Sequence, residues 1–445
     1  MHKVKIFLVI STILLIFSKN MEYIYAQDDT SYVFPEINAE SYLVMDANTH
    51  DVLFSQNEKT RYEPASLTKI MTAIIVIENI PNLHINIIIG KNPQETEPSS
   101  IYLVEGEIID IESLLYATLL QSANDATVAL AEYVAGSVES FAKIMNAKAK
   151  ELGCTNTNFV NPNGLHDKNH YSTAKDMALI LSYAINNELF LKISQTEQFF
   201  IPQTNLGPER ELYNQNRILV KENENYYNKA ICAKTGYTDE AGHTFAVAAK
   251  NEQMTLVAIF FKDSIKGYNI YAKDCFEYAF NNYSKQKVFN KGDFVLNLNI
   301  KGTFIPLAIN ENVDIIIKNG TNIEKNVSDV TLLNPDRYTY LKDEEIATAK
   351  LITNGKEVFI SLSSQDDIIL ASAVNSVENE NINSTESVLT SNTNLIVFLT
   401  NEPNNIVVIS VFIASILICI IIIFIFTYIK YRNNDYRKRR RRGQS

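Results

Sequence analysis

The sequence predicts an α+β chain: one antiparallel sheet with helices on both faces, then a small β-sandwich, then a single C-terminal transmembrane helix. Three observations predict it. Strand-like patterns at 39–56 and 230–261 bracket a long stretch of helical spacing, so one sheet built from both ends of a domain is the simplest arrangement. From 286 to 372 the chain reads as all strand. Residues 406–429 form an apolar run with no charge inside it, and a basic block follows.

The first element is an apolar run at 6–17, preceded by Lys3 and Lys5 and followed by Ile24-Tyr25-Ala26. It is short for a membrane span, and Ala26 is a small residue at the right place for cleavage. Residues 1–26 therefore read as a signal peptide, with an uncleaved N-terminal anchor as the alternative. The main domain is expected at 35–285. Residues 41–45 and 52–54 form a hairpin around a turn at 46–50. The segment 67–77 is apolar on nearly every side, which marks a helix buried all round. Helical spacing recurs at 114–120, 126–134, 141–152 and 174–186. Strands return at 230–233, 244–249 and 255–261, and a helix at 271–282 closes the domain. The β-rich domain, 286–374, has strands at 294–300, 313–317 and 358–361. The Asn-, Ser-, Thr- and Glu-rich stretch 375–405 reads as a flexible linker. As a helix, 406–429 would be about 36 Å long. That is enough to cross a hydrocarbon core of about 30 Å with some tilt. The tail 430–445 holds eight Lys and Arg, so it is expected in the cytoplasm with the main domain outside the membrane.

Charge and cysteine usage narrow the partners. The 445 residues carry a net charge of −11. Setting aside +7 in the tail and +2 in the first 26 residues leaves −20 on the exported part. An ectodomain that acidic argues against nucleic acid as a partner. The basic tail fits topology and anionic lipid. Cys419 lies in the apolar run. Cys154, Cys232 and Cys275 have no regular spacing, so one bridge plus a free thiol and three buried thiols both remain open.

Three motifs carry chemistry. In Ser66-Leu67-Thr68-Lys69, positions i and i+3 share a helix face, so the Lys69 amine can reach the Ser66 hydroxyl. A serine hydroxyl needs an adjacent base. A lysine serves if burial or a nearby cation lowers its pKa. In Ser122-Ala123-Asn124, a second hydroxyl can relay a proton to a leaving amine, and the amide can hold both a substrate carbonyl and Lys69. In Lys234-Thr235-Gly236, at the end of a strand, the lysine and hydroxyl can bind a terminal carboxylate. Lys234 also supplies the positive charge that keeps Lys69 neutral, and Gly236 admits close approach of substrate to the backbone. Singly, each has an ordinary reading: a capping serine with a chance lysine, a helix start, an edge strand ending in a turn. In this order they form the known motif set of penicillin-binding proteins and class A β-lactamases.

On these residues the chain resembles the low-molecular-mass penicillin-binding proteins that act as D-alanyl-D-alanine carboxypeptidases. The likeness extends through Glu63-Pro64-Ala65 and Ile70-Met71-Thr72 around the first motif, and through Asp125-Ala126 after the second. It also takes in Asn161-Pro162-Asn163-Gly164-Leu165, Tyr171-Ser172-Thr173-Ala174 and Tyr237-Thr238 with Ala241-Gly242. It covers about 35–285 well and the β domain less specifically. The resemblance implies a penicillin-binding/β-lactamase-like fold. It implies Ser66 as the acylated nucleophile, Lys69 as general base, and Ser122 and Asn124 as proton relay and amide holder. Lys234 and Thr235 would bind the carboxylate of the terminal D-alanine, and the N–H groups of Ser66 and Tyr237 would form the oxyanion hole. It implies peptidoglycan stem pentapeptides as substrates, D-alanine as the product and β-lactam antibiotics as covalent inhibitors. Two departures stand out. Cys232 occupies a position where many members of the family carry Gly or another small residue, on the same strand face as Lys234. The C-terminal segment spans, where many relatives have an amphipathic helix.

The alternatives are a β-lactamase and a penicillin-binding sensor that does not turn over. No extra glutamate base is identifiable for a β-lactamase, and Ala123 replaces the Asp common in that group. No cofactor and no metal are expected. His166 and His170 have i, i+4 spacing, but they lie in a polar loop and lack the acid of a zinc-protease motif.

Overall fold

Three long strands send alternate residues to opposite sides of one sheet. In Ala39–Asp46 (β1), Leu43 and Met45 face one apolar core, while Tyr42 and Val44 face another. The pattern repeats in Gly242–Lys250 (β4) and Thr255–Asp263 (β5). There Ala246, Ala248, Val257, Ile259 and Phe261 take the first side, and Phe245, Val247, Leu256, Ala258 and Phe260 the second. A strand that buries both faces needs cover on both, and helices supply it. The structure is a computed structural model, and it describes residues 33–263 and 268–370.

With Val52–Gln56 (β2) and Ala230–Thr238 (β3), these strands make a five-stranded antiparallel sheet in the order β2-β1-β5-β4-β3. The expectation of one sheet built from both ends of the domain holds. Thr68–Asn79 (α1), Ile111–Leu120 (α2), Asn124–Ala135 (α3), Val138–Glu151 (α4), Ala174–Ala184 (α5) and Glu188–Gln195 (α6) pack into the first core. The helix Tyr268–Asn282 (α7) covers the other face through Tyr271, Ala272, Cys275 and Phe276. Nine of the twelve α1 residues are buried, so this helix is the axis of the first core. Each large aliphatic side chain taken fully from water contributes about 1.5–3 kcal/mol. Side-chain caps set several helix starts: Asp110 for α2, Ser137 for α4, Thr173 for α5 and Asn187 for α6.

The second unit starts later than expected. Strand Tyr283–Phe289 (β6) pairs with Val313–Lys318 (β9), and both belong to the first compact unit. The second unit takes 294–310 and then the chain from 323. Its five-stranded antiparallel sheet runs Phe294–Ile300 (β7), Thr303–Ile309 (β8), Lys356–Ser364 (β12), Glu345–Thr353 (β11) and Asn326–Leu332 (β10). Among the described residues, the unit's other strands form only a two-residue ribbon, Thr339–Tyr340 with Ile368–Ile369, in place of the second sheet of a sandwich. The second unit thus begins at Phe294 where 286 was expected, and the strand expected at 313–317 is present as Val313–Lys318 but belongs to the first unit. A strand's alternation marks one buried face without naming its partner. The expected signal peptide, the whole linker, the transmembrane run and the basic tail lie outside the described residues. Among the described residues, no helix is long and apolar enough to cross a membrane.

Candidate active site

Ser66 stands on a bent entry to the buried helix. Residues Ala65–Leu67 form a 3-10 turn, and α1 begins at Thr68. The helix expected at 67–77 thus begins at Thr68, and Ser66 belongs to the turn ahead of it. Ala65 has φ +47°, a left-handed conformation that costs a residue with a Cβ. The turn leaves Ser66 partly accessible, while Lys69 in the first turn of α1 is fully buried.

Lys69 Nζ lies 2.8 Å from Ser66 Oγ, 2.6 Å from Asn124 Oδ1 and 2.7 Å from the main-chain oxygen of Asn163. Asn124 Oδ1 and the Asn163 carbonyl can only accept; Ser66 can also donate. A neutral amine has two protons and one lone pair. It can give its protons to Asn124 and Asn163 and receive the proton of Ser66 in its lone pair. Burial holds Lys69 well below the usual ammonium range. The nearby Lys234 charge pushes it the same way, and Asp125 opposes them. Geometry and charge thus agree on a basic lysine aimed at a hydroxyl.

Asn124 opens α3, whose start has no side-chain cap. Its N–H donates to Ser99 O at 2.6 Å, and its Nδ2 donates to Pro98 O. Those bonds turn the amide oxygen towards Lys69. Ser122, in the short link between α2 and α3, has φ +60°. Its Oγ lies 3.0 Å from Lys234 Nζ.

Lys234 sits in the middle of β3, the edge strand of the sheet, and is 2% exposed. It donates to Ser122 Oγ and, at 2.7 Å, to the carbonyl of Thr235. Burial pushes its ammonium down to about 7. An incoming carboxylate would favour the charged form again. Thr235 N–H leaves the sheet to reach Asn216 Oδ1 at 3.1 Å. Alternation along the strand places the N–H of Tyr237 on that same free edge. The Tyr237 ring is 56% exposed, lies 4.7 Å from the His243 ring and donates its hydroxyl to Asp239. At Gly236, a Cβ would stand 2.4 Å from Thr244 Oγ1 and 2.8 Å from Ser66 N. What this glycine admits is the turn that carries Ser66, where the sequence suggested substrate. Gly164, at φ +84°, does the same from the other side: a Cβ there would meet Ala65 O at 1.8 Å.

One hydrogen-bonded set thus joins Ser66, Lys69, Asn124 and the Asn163 carbonyl. A second joins Ser122 to Lys234, with Thr235, Gly236 and Tyr237 continuing along β3. Sequence reasoning did not anticipate Asn216 or the carbonyls of Pro98, Ser99 and Asn163. A main-chain oxygen leaves no residue-type signal.

Cys232 does not line an open site. It is buried, accepts from Ser194 Oγ at 3.3 Å, and burial pushes its thiol up to about 12. Cys154, Cys232 and Cys275 are all free thiols. The two histidines have separate partners. His170 is buried and neutral, its imidazole lowered to about 4 by burial. Its Nδ1 accepts from Val160 N–H, which leaves a proton on Nε2 for Thr68 Oγ1 at 2.9 Å. His166 lies at the surface, 2.9 Å from Glu63 and 3.9 Å from Glu240. The ligand atoms of these three lie within 4.8 Å of one another. An exposed imidazole shared by two carboxylates is an ordinary ion-pair cluster.

A family model described as D-alanyl-D-alanine carboxypeptidase matches residues 28–265. The chain is 30% identical over 326 residues to the D-alanyl-D-alanine carboxypeptidase DacF of Bacillus subtilis, covering 72% of this chain and 82% of the relative. It is 34% identical over 247 residues to DacC of Escherichia coli, covering 51% of this chain and 56% of the relative. Penicillin binding protein 5 from Haemophilus influenzae superposes with a TM-score of 0.63 at 26% identity, over 75% of this chain and 98% of that structure.

Proposed function

This chain belongs to the D-alanyl-D-alanine carboxypeptidase family and is a serine-type enzyme of that activity with a penicillin-binding-protein fold; from that premise we propose that it removes the terminal D-alanine of peptidoglycan pentapeptides through an acyl-enzyme on Ser66. The observation that carries the assignment of residues is the set of three oxygens around Lys69 Nζ. Lys69 accepts the proton of Ser66 as Oγ attacks the carbonyl carbon of the penultimate D-alanine. The N–H groups of Ser66 and Tyr237 hold the developing oxyanion. Asn124 holds the substrate amide. Lys234 and Thr235 hold the terminal carboxylate. As the C–N bond breaks, Ser122 passes a proton to the leaving amine and takes in exchange the one that Lys69 received from Ser66, so free D-alanine departs and Lys69 is neutral again. Water then attacks the ester carbonyl as Lys69 takes its proton, and collapse of the intermediate returns that proton to Ser66 Oγ.

A β-lactamase would need a carboxylate free to activate the deacylating water. The carboxylate that acts on Lys69 is Asp125, and both its oxygens are held by neighbouring donors. β-Lactams are read here as covalent inhibitors, which the likeness to a penicillin-binding protein supports. The localisation that suits this chemistry is an extracytoplasmic enzyme, exported by residues 1–26 and held by one span at 406–429. The apolar length and the basic tail support it.

The test is D-alanine release from a muramyl pentapeptide by the purified full chain, with Ser66→Ala beside it. Release by the parent alone is expected, together with fluorescent-penicillin labelling that the variant lacks. Labelling without release would replace the carboxypeptidase with a sensor. Rapid penicillin hydrolysis would replace it with a β-lactamase. Carbonate extraction of membranes from a host making the protein checks the anchor: retention in the membrane is expected, and loss on deleting 406–445.

A further inference from the structure

Asp125 is completely buried, one residue past Asn124, and no catalytic step uses it. Its carboxylate gathers a loop. Oδ2 accepts from Ser100 Oγ at 2.5 Å and from Leu103 N at 3.1 Å. Ile101 N lies 3.2 and 3.1 Å from its two oxygens. Oδ1 also accepts from Ala126 N at 2.8 Å, which secures the carboxylate to the first turn of α3. The same loop, two residues earlier, presents the Pro98 and Ser99 carbonyls that bind Asn124. A buried carboxylate with this many donors is stable only if they stay in place, so loop and helix start hold each other.

We propose that Asp125 is a positioning residue for acylation: it clamps the 98–103 loop to the start of α3, so that Pro98 and Ser99 fix the Asn124 amide with its oxygen towards Lys69. The chain of contacts runs from Asp125 through the loop to Asn124, then Lys69, then Ser66. Without the Pro98 carbonyl to receive Nδ2, the amide is free to rotate and offer its NH2 group to Lys69. A neutral Lys69 would then direct its lone pair at that amide instead of Ser66. The Asp125 charge has a second effect. Lys69 is faced by Lys234 from β3, by Asp125 from α3 and by the neutral ring of His170 from the 157–172 segment. Asp125 is the one anion among these groups. The inference rests on the proposed roles of Ser66 and Lys69.

The experiment measures the second-order rate of acylation of the full chain by a fluorescent penicillin from pH 4 to 10, with melting curves for each protein. Asp125→Asn keeps the shape but removes the charge and presents an NH2 group to the loop donors. Misplacement of a reacting group by an ångström typically costs about 100-fold, and a loss of that order is expected. Removing the anion leaves Lys69 more easily deprotonated, so the acid limb of the profile should move to lower pH. Ser100→Ala keeps the charge and removes one clamp bond. It should slow acylation by a smaller factor, roughly 3- to 10-fold for one hydrogen bond, and leave the limb in place. A parent-like rate in both variants would overturn the proposal. So would a loss that only tracks the unfolded fraction, or a slow Asp125→Asn whose limb has not moved, because a structural residue would give either. If Asp125→Asn does not fold, Ser100→Ala decides: slowed acylation in a folded protein supports the clamp, and an unchanged rate refutes it. Labelling retained by Ser66→Ala would remove the reading underneath and the inference with it; a normal loss in that control confines any failure to Asp125.

Discussion

Lys69 and Lys234 are both buried, both lowered in basicity and only a short relay apart, yet their surroundings differ. Lys69 points into three oxygens, one of them the hydroxyl it is proposed to deprotonate, and as a neutral amine has no proton left for a ligand. Lys234 uses two protons, on Ser122 and on the carbonyl of Thr235, and lies in an edge strand whose outer side is paired to no other strand among the described residues. The first arrangement is complete without substrate. The second is completed by one. That difference teaches why a single site needs two lysines. A base must be neutral and its acceptors already in place, while an anion anchor must be charged when its anion arrives.

Replacing each lysine should separate these roles, with the largest effect at the base. Lys69→Ala should slow penicillin acylation by about 10²- to 10⁴-fold, the usual range for general-base help. Lys69→Arg should not rescue it, because a guanidinium keeps its proton. An Arg variant within tenfold of the parent would break the assignment. Gly236→Ala comes next. Its Cβ would stand 2.8 Å from Ser66 N, so the turn must move and acylation should fall about 100-fold. A smaller loss in stopped-flow labelling would show that the turn is pliant. Lys234→Ala should lower kcat/KM for a pentapeptide by roughly 10- to 100-fold, the range for one charge-assisted hydrogen bond. The same variant should differ little from the parent on a peptide with an amidated C-terminus. Equal losses on both peptides would mean that Lys234 does something other than hold the carboxylate.

The pH profile sharpens the contrast. Lys69 acts above its own lowered pKa, and Lys234 binds an anion below its value of about 7. The kcat/KM of the parent should therefore fall as pH rises through neutrality. Lys234→Ala should lose that alkaline limb, and its acid limb should move up because the cation that depresses Lys69 is gone. The smallest effect is on stability. His170 stands at about 4 when folded and near 6.5 when unfolded. Its contribution is present above 6.5 and lost as pH falls towards 4. The loss is about 3 kcal/mol at most, and calorimetry should show it flattened in His170→Gln.

Much of this was legible in the sequence because it is carried by side-chain type. The strands at 39–46, 242–250 and 255–263 and the buried helix at 68–79 announce themselves through apolar residues. The three motifs announce themselves through residue type and spacing: Ser66 with Lys69, Ser122 with Asn124, and Lys234 with Thr235 and Gly236. Other parts had no such signal. The ribbon of Asn86–Ile88 with Ile108–Asp110 is three residues a side, and α6 spans eight, both too short for a period to show. The strand Val313–Lys318 was seen, but its partner was not, because Lys318 and Tyr283 meet across 35 positions of sequence. Within the site, Lys69 needs the carbonyl of Asn163, and any residue there would supply one. Ser122 was read for its hydroxyl, while the φ of +60° that aims it could not be read at all.

The path of the chain between the two units has a practical meaning for anyone shortening the gene. The polypeptide leaves the first unit after Asp293, returns for Glu311–Asn322 and leaves again. On that return, Ile316 N donates to Asp51 Oδ2 at 2.7 Å, and Asn319 N donates to Asn282 O at 2.8 Å. A stop codon placed at 286, where the strand pattern suggests a seam, would end the chain inside β6 and discard β9 with both bonds. The natural scissors point lies beyond Asn322, and even there the product would carry the β7–β8 hairpin without the rest of its sheet. A minimal catalytic fragment therefore requires excising 294–310 and bridging the gap, not trimming from one end.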